Sequence, residues 1–293
     1  MHQRASRSII ACAIDHQESA LVRLKTSGTD GYTLSGCTTL PHGINSFVAG
    51  REKRLLTKLQ NACRAWKEDA LALCVGTERL LPLPACFPEE VSQEEQRDYC
   101  RIEAEYFLER PADYGCDIAN YASDHAEEQN RLLLFYPAEP CRSIAKYLSD
   151  DHQICFAGTA QLPLVHLSNF MAEPQVILEL EKSSVLLTIA HNGALEKLAF
   201  HQVKSREEAE YFTMKELTEN PICRQTAVQV TGSRADKAML ALIAGERSLT
   251  LKPLGIPPTL AMSNPQRFAT SSPAVVKAIS TAVMGLGKSD DRF

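Results

Sequence analysis

Hydrophobic and polar positions in the first quarter of the chain predict three strands, a helix and a fourth strand. The strands cover residues 8–15, 20–25 and 32–40, and a glycine-bounded turn at 28–31 joins the last two. The helix presents one apolar face, formed by Val48, Leu55, Leu59, Ala62 and Trp66. Residues 71–75 follow as a short apolar run, which is typical of a buried strand.

The same order of elements returns in the second half of the chain. Its strands are predicted at residues 175–181, 184–190, 195–203 and 226–231. A His-Asn-Gly turn at 191–193 joins the second strand to the third, and Ser205 with Glu208 matches a capping box that opens a helix before the fourth. Two halves of β-β-β-α-β order predict two sheets flanked by helices, with a cleft between them where α/β folds bind ligands.

Further elements are predicted between and after these halves. Ser92 and Glu95 form a capping box for a helix that ends near Arg110. An extended stretch is predicted at 80–84, and strands are predicted at 113–121 and 131–136. One helix is predicted through Ile144 and Leu148, another from Pro163, a third from Gly232 to a C′ residue at Gly245, and a last one from Pro273. Residues 288–293 are predicted to be a frayed end. The predicted domains are residues 1–79 (start of the first half), 80–130 (a small extra subdomain), 131–172 (completion of the first half), 173–272 (the second half) and 273–293 (a C-terminal helix and tail).

The composition is that of an ordinary globular protein and excludes several classes. Of 293 residues, 44% are hydrophobic and 23% charged, which excludes a disordered or collagen-like chain. The formal net charge of −5 argues against a protein that mainly neutralises nucleic-acid phosphates. Apolar runs fall far short of the roughly 20 residues that a spanning helix needs, and Asp15 ends the N-terminal run too early for a signal peptide. We therefore expect a cytoplasmic protein.

The ten cysteines do not have the spacing of a metal or redox site. The two closest, Cys63 and Cys74, are 11 positions apart, so the tight pairs of zinc ribbons, thioredoxin-like motifs and iron–sulfur runs are missing. His152 and Cys155 have ligand-like spacing, but no second pair lies near them in sequence. We expect the cysteines to be small buried side chains in a reducing compartment.

Several stretches resemble one superfamily, the actin-like ATPases, and within it the PilM proteins. The stretches are 10–15 (IACAID) with 20–24 (ALVRL) for the opening hairpin, 81–84 (LPLP), 103–107 (EAEYF) and 111–114 (PADY) for an extra subdomain, and 228–233 (VQVTGS) for the adenosine loop. PilM proteins are cytoplasmic type IV pilus assembly proteins related to the cell-division protein FtsA. The resemblance implies an α/β, actin-like (ribonuclease H-like) duplicated fold, with two βββαβ-containing halves around a central cleft plus a small extra subdomain.

The first phosphate loop of this superfamily, Asp-x-Gly followed by small hydroxyl residues, is only partly present. The resemblance assigns nucleotide contacts to Asp15 and Ser19 and a hydrated Mg²⁺ to Asp15. Gln17 replaces the glycine that lets backbone N–H groups approach phosphate, and Glu18 adds a carboxylate. This loop is therefore expected to hold a triphosphate poorly.

The second phosphate loop and the adenosine loop depart further. Residues 179–184 read ELEKSS, without the Asp-x-Gly pattern, and leave Lys182 and Ser183 as the candidate phosphate contacts. In the adenosine loop Gly232 and Ser233 remain, and they predict either a helix N-terminus suited to an anion or an ordinary strand-to-helix turn. Because phosphoryl transfer depends on positioning and charge neutralisation, we expect a pseudo-ATPase with no catalytic residue and no required cofactor, although ATP with Mg²⁺ near Asp15 stays an alternative.

The resemblance implies an assembly function. PilM-like proteins bind the cytoplasmic tail of a membrane-anchored partner of PilN type, which would bring this chain to the inner membrane. Self-association is compatible with the resemblance, because actin-like proteins polymerise through surfaces with no short motif, and nucleic acid is not expected as a partner. One alternative is a sugar-kinase-like ATP-dependent phosphotransferase on the same fold, which would need intact phosphate loops around Asp15.

A second alternative is an unrelated α/β hydrolase built on an Asp–His pair. Such pairs occur at residues 15–16, 124–125 and 151–152. Adjacent residues of a strand point to opposite faces of the sheet, which disfavours a catalytic dyad. The sequence also has no GxSxG elbow, P-loop or HExxH motif.

Overall fold

The computed structural model describes residues 7–27, 31–48, 52–66, 70–88, 91–122, 129–246, 248–262 and 272–288. The predicted turn at 28–31, the Asp–His pair at 124–125 and the predicted frayed end lie wholly or mostly outside these residues. The chain divides into two compact units: Met1–Gly76, Pro140–Phe170 and Gly255–Phe293 form the first, and Thr77–Glu139 and Met171–Leu254 form the second.

Runs of one to three strands are separated by one or two helices along the described residues. The strands are β1 (Ser8–Ile14), β2 (Ser19–Ser27), β3 (Gly31–Leu40), β4 (Ala70–Val75), β5 (Leu81–Phe87), β6 (Tyr114–Asn120), β7 (Gln129–Pro137), β8 (Gln153–Thr159), β9 (Gln175–Leu180), β10 (Ser184–His191), β11 (Ala194–Gln202), β12 (Val228–Thr231) and β13 (Leu251–Pro253). The helices are α1 (Asn45–Val48), α2 (Glu52–Arg64), α3 (Gln93–Phe107), α4 (Glu139–Leu148), α5 (Gln161–Leu167), α6 (Arg206–Glu219), α7 (Ile222–Gln225), α8 (Lys237–Ala244) and α9 (Pro273–Lys288). Short 3₁₀ turns follow α3 and α5.

The first unit contains a five-stranded sheet in the order β3-β2-β1-β4-β8. Strands β1, β2 and β3 form an antiparallel meander, and β4 and β8 continue from β1 in parallel. Helix α9 packs on β1, β2 and β4. The helix lies close to the sheet because the residues on its contact face have small side chains. They include Ala274, Ala278 and Ala282, and a Cβ at Gly285 would come 2.7 Å from Ile9 Cδ1.

The second unit repeats this order in the sheet β11-β10-β9-β12-β13. Again three antiparallel strands are followed by two that continue in parallel from the first of them. The core on one face of this sheet includes Val176, Leu178, Leu187 and Val230. The repeated β-β-β-α-β order that the sequence predicts is confirmed.

A smaller three-stranded sheet, β5-β7-β6, lies in the second unit with α3 against it. Its core is formed by Ala85, Phe87, Cys100, Ala104, Leu133 and Phe135. The predicted capping box of α3 is confirmed. The N–H of Glu95 donates to the Ser92 hydroxyl, and the Glu95 carboxylate accepts from the N–H of Ser92. The helix ends at Phe107, earlier than predicted, because the backbone of the next residue is extended and its side chain packs into this core.

Some boundaries predicted from the sequence are wrong. Helix α8 begins after its N-cap Asp236, five residues later than the glycine that was expected to open it. Gly245 ends this helix in a right-handed conformation, φ −62°, and is not a left-handed C′ residue. Strand β13 could not be predicted from the sequence, because it is too short for a periodic pattern and ends in Pro253 at a sheet edge. All ten cysteines have free thiols, but Cys37 and Cys86 are exposed, contrary to expectation.

A membrane-crossing helix must be long and apolar throughout, and none of the helices in the described ranges meets both conditions.

Candidate functional site: two hairpin turns and their carboxylates

The turn between β1 and β2 begins at Asp15. Its backbone N–H donates to the carbonyl of Glu18, 2.9 Å away, and closes the hairpin. The loop after β3 covers this turn: the amides of Ile44 and Asn45 donate to the carbonyls of Asp15 and His16 at 2.8 and 3.1 Å. A Cβ on the preceding Gly43 would collide with the same backbone. The backbone of the turn is therefore engaged in contacts with its own unit.

The carboxylate of Asp15 forms a buried ion pair with Lys277 of α9. Lys277 Nζ donates to Asp15 Oδ1 over 3.0 Å, and the exposed fractions of the two side chains are 2% and 9%. The same oxygen accepts from the backbone N–H of His16 at 3.0 Å. Burial alone would raise the pKa of Asp15, but the charge of Lys277, that of His16 and these hydrogen bonds outweigh it and hold the pKa below its usual value. The carboxylate is thus kept ionised and already neutralised.

This arrangement does not fit the hydrated Mg²⁺ that the fold family implies at Asp15. Mg²⁺ demands near-octahedral oxygen ligands and keeps several waters. To reach Oδ1 it would have to displace the Lys277 ammonium, which is 2% exposed, and leave that charge buried without its carboxylate partner. The backbone crowds the carboxylate from another side, because a Cβ on Gly76 would lie 3.4 Å from Oδ1.

Ser19, the other predicted nucleotide contact of this turn, has a structural bond. It is fully buried as the first residue of β2, and its hydroxyl donates to the carbonyl of His42 over 2.5 Å. The imidazole Nε2 of His42 lies 2.9 Å from Lys58 Nζ. Ser19 therefore fastens the loop after β3 onto the hairpin.

The turn between β9 and β10 repeats the backbone of the first turn. The N–H of Glu181 donates to the carbonyl of Ser184 at 2.9 Å, as Asp15 does to Glu18. The last paired residues before each turn, Leu180 with Val185 and Ile14 with Ser19, correspond as well. Glu181 is therefore the counterpart of Asp15 in the second unit.

The carboxylate of Glu181 binds the adenosine-loop segment of its own unit. Its Oε2 accepts from Ser233 Oγ at 2.7 Å and from the Ser233 backbone N–H at 3.3 Å, and the Glu181 side chain is buried. Gly232 makes this approach possible, because its φ is +106° and a Cβ there would collide with the backbone of Leu180. Both donors that Ser233 would offer to a phosphate are occupied by a carboxylate of the chain.

The remaining predicted phosphate contacts of the second unit, Lys182 and Ser183, take no part in the hydrogen bonds between Glu181 and Ser233. Lys182 is exposed, and the carbonyl of Ser183 accepts from the amide of Val203 at 2.9 Å. Gly232 does not open a helix, since α8 begins only after Asp236. The structure thus joins Gly232 and Ser233 with Glu181, and it leaves Lys182 at the surface.

Sequence reasoning missed the two decisive residues, Lys277 and Glu181. A signal for Lys277 was present: from Pro273 to Gly287 it is the only charged residue in an otherwise apolar or hydroxyl-bearing helix. A helix that is apolar all round is buried, and a buried lysine requires a partner. No comparable signal marks Glu181, because a carboxylate in a polar turn is usually solvated.

A second buried polar cluster lies between α6 and β11 in the second unit. Glu216, 5% exposed, accepts from Lys197 Nζ at 3.0 Å and pairs with His201 Nε2 at 2.8 Å. The His201 ring stacks on Phe212 at a centroid distance of 4.2 Å. Burial would raise the pKa of Glu216, but the hydrogen bonds and charges of His201 and Lys197 outweigh it and lower the pKa below its usual value. These contacts tie the helix to the edge strand.

The duplicated sheets and their hairpin turns define an actin-like ATPase fold. The chain is similar in fold to a chain of the PilM-PilN type IV pilus biogenesis complex, with a TM-score of 0.68 and 13% identity over 95% of this chain and 98% of that one. It is also similar to a Bacteroides thetaiotaomicron protein described as having an actin-like ATPase fold and unknown function, with a TM-score of 0.53, 9% identity, and 94% and 95% of the two chains covered. No family model and no curated protein matches the sequence.

Proposed function

We propose that the chain is an actin-like scaffold and a pseudo-ATPase, which binds a membrane-anchored partner during assembly of a type IV pilus or a related secretion machine. The observation that carries the pseudo-ATPase proposal is that the carboxylate of each hairpin turn is bonded within its own unit, Asp15 to Lys277 and Glu181 to Ser233. The scaffold proposal follows, because the fold is retained while the groups that would serve a nucleotide are engaged elsewhere.

The chemistry of phosphoryl transfer supports this interpretation. Such transfer relies on a metal ion and on donors aimed at the phosphates. In the first unit a metal must displace Lys277 from Oδ1 or share the carboxylate with its ammonium charge, and in the second a phosphate must compete with a carboxylate of the same sign for the donors of Ser233. Neither unit offers the free, preorganised donors and metal ligand that the reaction needs.

The proposed partner is the cytoplasmic tail of an inner-membrane protein of PilN type, and the fold similarity to the chain of the PilM-PilN complex motivates that choice. A surface of suitable chemistry lies at the end of α3. Ile102, Tyr106 and Phe107 are 53%, 86% and 55% exposed there, and the carboxylates of Glu105 and Glu109 are exposed beside them. We call these five residues the α3 surface.

Charge favours such a tail as the occupant of the α3 surface. Cytoplasmic segments next to a membrane carry an excess of Lys and Arg, which complements Glu105 and Glu109. Exposed aromatic side chains are common anchors of interfaces. Through the tail, a cytoplasmic protein would be held peripherally at the inner membrane.

Binding to synthetic peptides tests this function. The peptides carry the N-terminal cytoplasmic segments of the PilN-type proteins of the same organism, and fluorescence anisotropy gives the dissociation constant. Tyr106→Ser should weaken binding by about ten-fold or more, as loss of an interface anchor does, whereas Tyr211→Ser, at a 63% exposed tyrosine on α6, should leave it unchanged. Failure of every such peptide to bind the wild-type chain would overturn the partner proposal.

A further inference from the structure

We propose that Lys277 is a built-in cation: its ammonium takes the place of a divalent metal ion at Asp15, and its removal uncovers a latent divalent-cation site there. The inference deepens the proposed function, since it names what replaces the metal of the first unit. The ammonium thus holds the hairpin turn to α9 without metal or nucleotide.

The geometry of the pair is that of a bound counter-ion. Lys277 Nζ is 3.0 Å from Asp15 Oδ1, and the two residues are separated by 262 positions in sequence. The backbone around Lys277 is fixed, since the hydroxyls of Ser280 and Thr281 both donate to its carbonyl at 2.7 Å. The close packing of α9 on β1 determines the position of the Lys277 ammonium.

Electrostatics requires a cation at this position. The Asp15 carboxylate is buried, and a buried ionised carboxylate is tolerated only when it is paired and hydrogen-bonded. The N–H of His16 supplies one hydrogen bond, the charge of His16 favours the carboxylate less than that of Lys277 does, and the nearby turn residue Glu18 is itself acidic. Without Lys277 the carboxylate must protonate, bind water or bind another cation.

A divalent cation is the natural substitute. Carboxylate oxygen is a hard ligand, which Mg²⁺ and Mn²⁺ prefer. The variant Lys277→Ala removes the ammonium together with the side chain beyond Cβ, which leaves room for an ion and part of its water shell. The variant Lys277→Met removes the charge but fills the same space. Comparing the two variants therefore separates the effect of losing the charge from the effect of opening space for an ion beside Asp15.

Four proteins test the proposal: the wild type, Lys277→Ala, Lys277→Met, and the double variant Lys277→Ala/Asp15→Asn. Binding of Mn²⁺ is measured by electron paramagnetic resonance, and thermal unfolding is followed with and without MgCl₂. We expect Lys277→Ala to gain one Mn²⁺ site about ten-fold or more tighter than any in the other three proteins, since these lack either the space or the carboxylate. With saturating Mg²⁺ the Tm of Lys277→Ala should rise by about 2–4 °C. The Tm of the other three proteins should change only by the amount that added salt causes in all four.

Two outcomes would overturn the proposal. One is a Lys277→Ala protein that binds Mn²⁺ no better than the double variant. The other is a wild-type protein whose Mn²⁺ site is as tight as that of Lys277→Ala, because Lys277 would then not occupy the position. If Lys277→Ala is insoluble, its yield on refolding with and without Mg²⁺ replaces the melting curve, and the same failure in both conditions counts against the proposal.

These results are separate from those that test the proposed function. A chain whose Lys277→Ala variant ignores divalent cations can still bind a partner tail and lack ATP binding. Conversely, a latent metal site in Lys277→Ala says nothing about whether any membrane protein binds the α3 surface.

Discussion

Asp15 and Glu181 occupy the same position in two sheets of the same strand order, each as the first residue of a hairpin turn closed by a 2.9 Å backbone hydrogen bond. Their carboxylates have different partners: Asp15 is paired with the ammonium of Lys277, whereas Glu181 accepts hydrogen bonds from the uncharged donors of Ser233. The backbone of the duplication is thus retained while the side-chain chemistry has diverged. This divergence is the basis of the proposed pseudo-ATPase scaffold.

The Asp15–Lys277 pair should be strongly coupled in stability. Lys277→Met leaves a buried carboxylate without its counter-ion and should lower the free energy of unfolding by about 3–5 kcal/mol. Adding Asp15→Asn should restore part of this loss, because the remaining amide carries no charge. Urea denaturation of the two single variants, the double variant and the wild type measures the coupling. Losses that simply add would show that the two charges do not interact.

Gly232 should resist substitution, whereas Gly287 should not. Gly232→Ala requires an alanine at φ +106° and brings its Cβ against Leu180, so we expect a loss of about 2 kcal/mol or more. Gly287 lies in α9 and is exposed, and a methyl group there would meet no atom of the described residues within 4 Å. Gly287→Ala should therefore be neutral or stabilise by up to about 1 kcal/mol. Denaturant midpoints of the two variants give the comparison, and equal effects would contradict this account of Gly232.

The Glu216 cluster should make stability sensitive to acid. Because folding lowers the pKa of Glu216, the unfolded chain binds the proton more readily, and the stabilisation is present above the unfolded pKa and lost as pH falls through the folded one. The wild type should therefore lose more stability than Glu216→Gln as the pH falls from about 5 to 3. Near neutral pH the variant should be less stable by about 1–3 kcal/mol.

Chemical denaturation across this pH range checks the prediction for Glu216. The comparison with Glu216→Gln subtracts the other carboxyl groups, which titrate in both proteins. Parallel pH profiles for the two would show that the contacts with Lys197 and His201 do not depend on the charge of Glu216.

Binding at the α3 surface should depend on salt. If a basic tail binds there, raising the ionic strength from about 0.05 to 0.5 M should weaken binding, because exposed charges are screened. Neutralising Glu105 and Glu109 to Gln should weaken binding at low salt and flatten the salt dependence. Anisotropy titrations at several salt concentrations measure both effects, and an unchanged slope in the double variant would remove these two carboxylates from the interface.

Much of the fold could be predicted from the sequence, because it rests on local patterns. Strands β1, β4, β9 and β10 are short, mainly apolar runs, and the hairpin turn at Asn192 and Gly193, both at positive φ, is marked by its residue types. The capping box at Ser92 fixes the start of α3 for the same reason, and Ser205 caps α6 through its hydroxyl, although the Glu208 carboxylate accepts from the N–H of Lys204 and so does not complete the predicted box. These signals need no knowledge of distant contacts.

The chemistry of the site could be predicted only in part, because it depends on pairs that no local pattern records. The position of Asp15 at the turn could be read from the sequence, but its partner Lys277 comes from the far end of the chain through the packing of α9. Likewise Ser233 was a candidate contact, and only the fold shows that Glu181 holds it. Lys182, the more obvious cation in sequence, remains exposed.

The most direct test of the central claim is calorimetric titration of the wild-type protein with Mg-ATP, alongside Asp15→Ala. We expect no saturable heat even at millimolar nucleotide, because Lys277 and Glu181 already engage the groups that Mg-ATP would need. Micromolar binding that Asp15→Ala abolishes would contradict the pseudo-ATPase proposal, and would revive a nucleotide-dependent function on this fold.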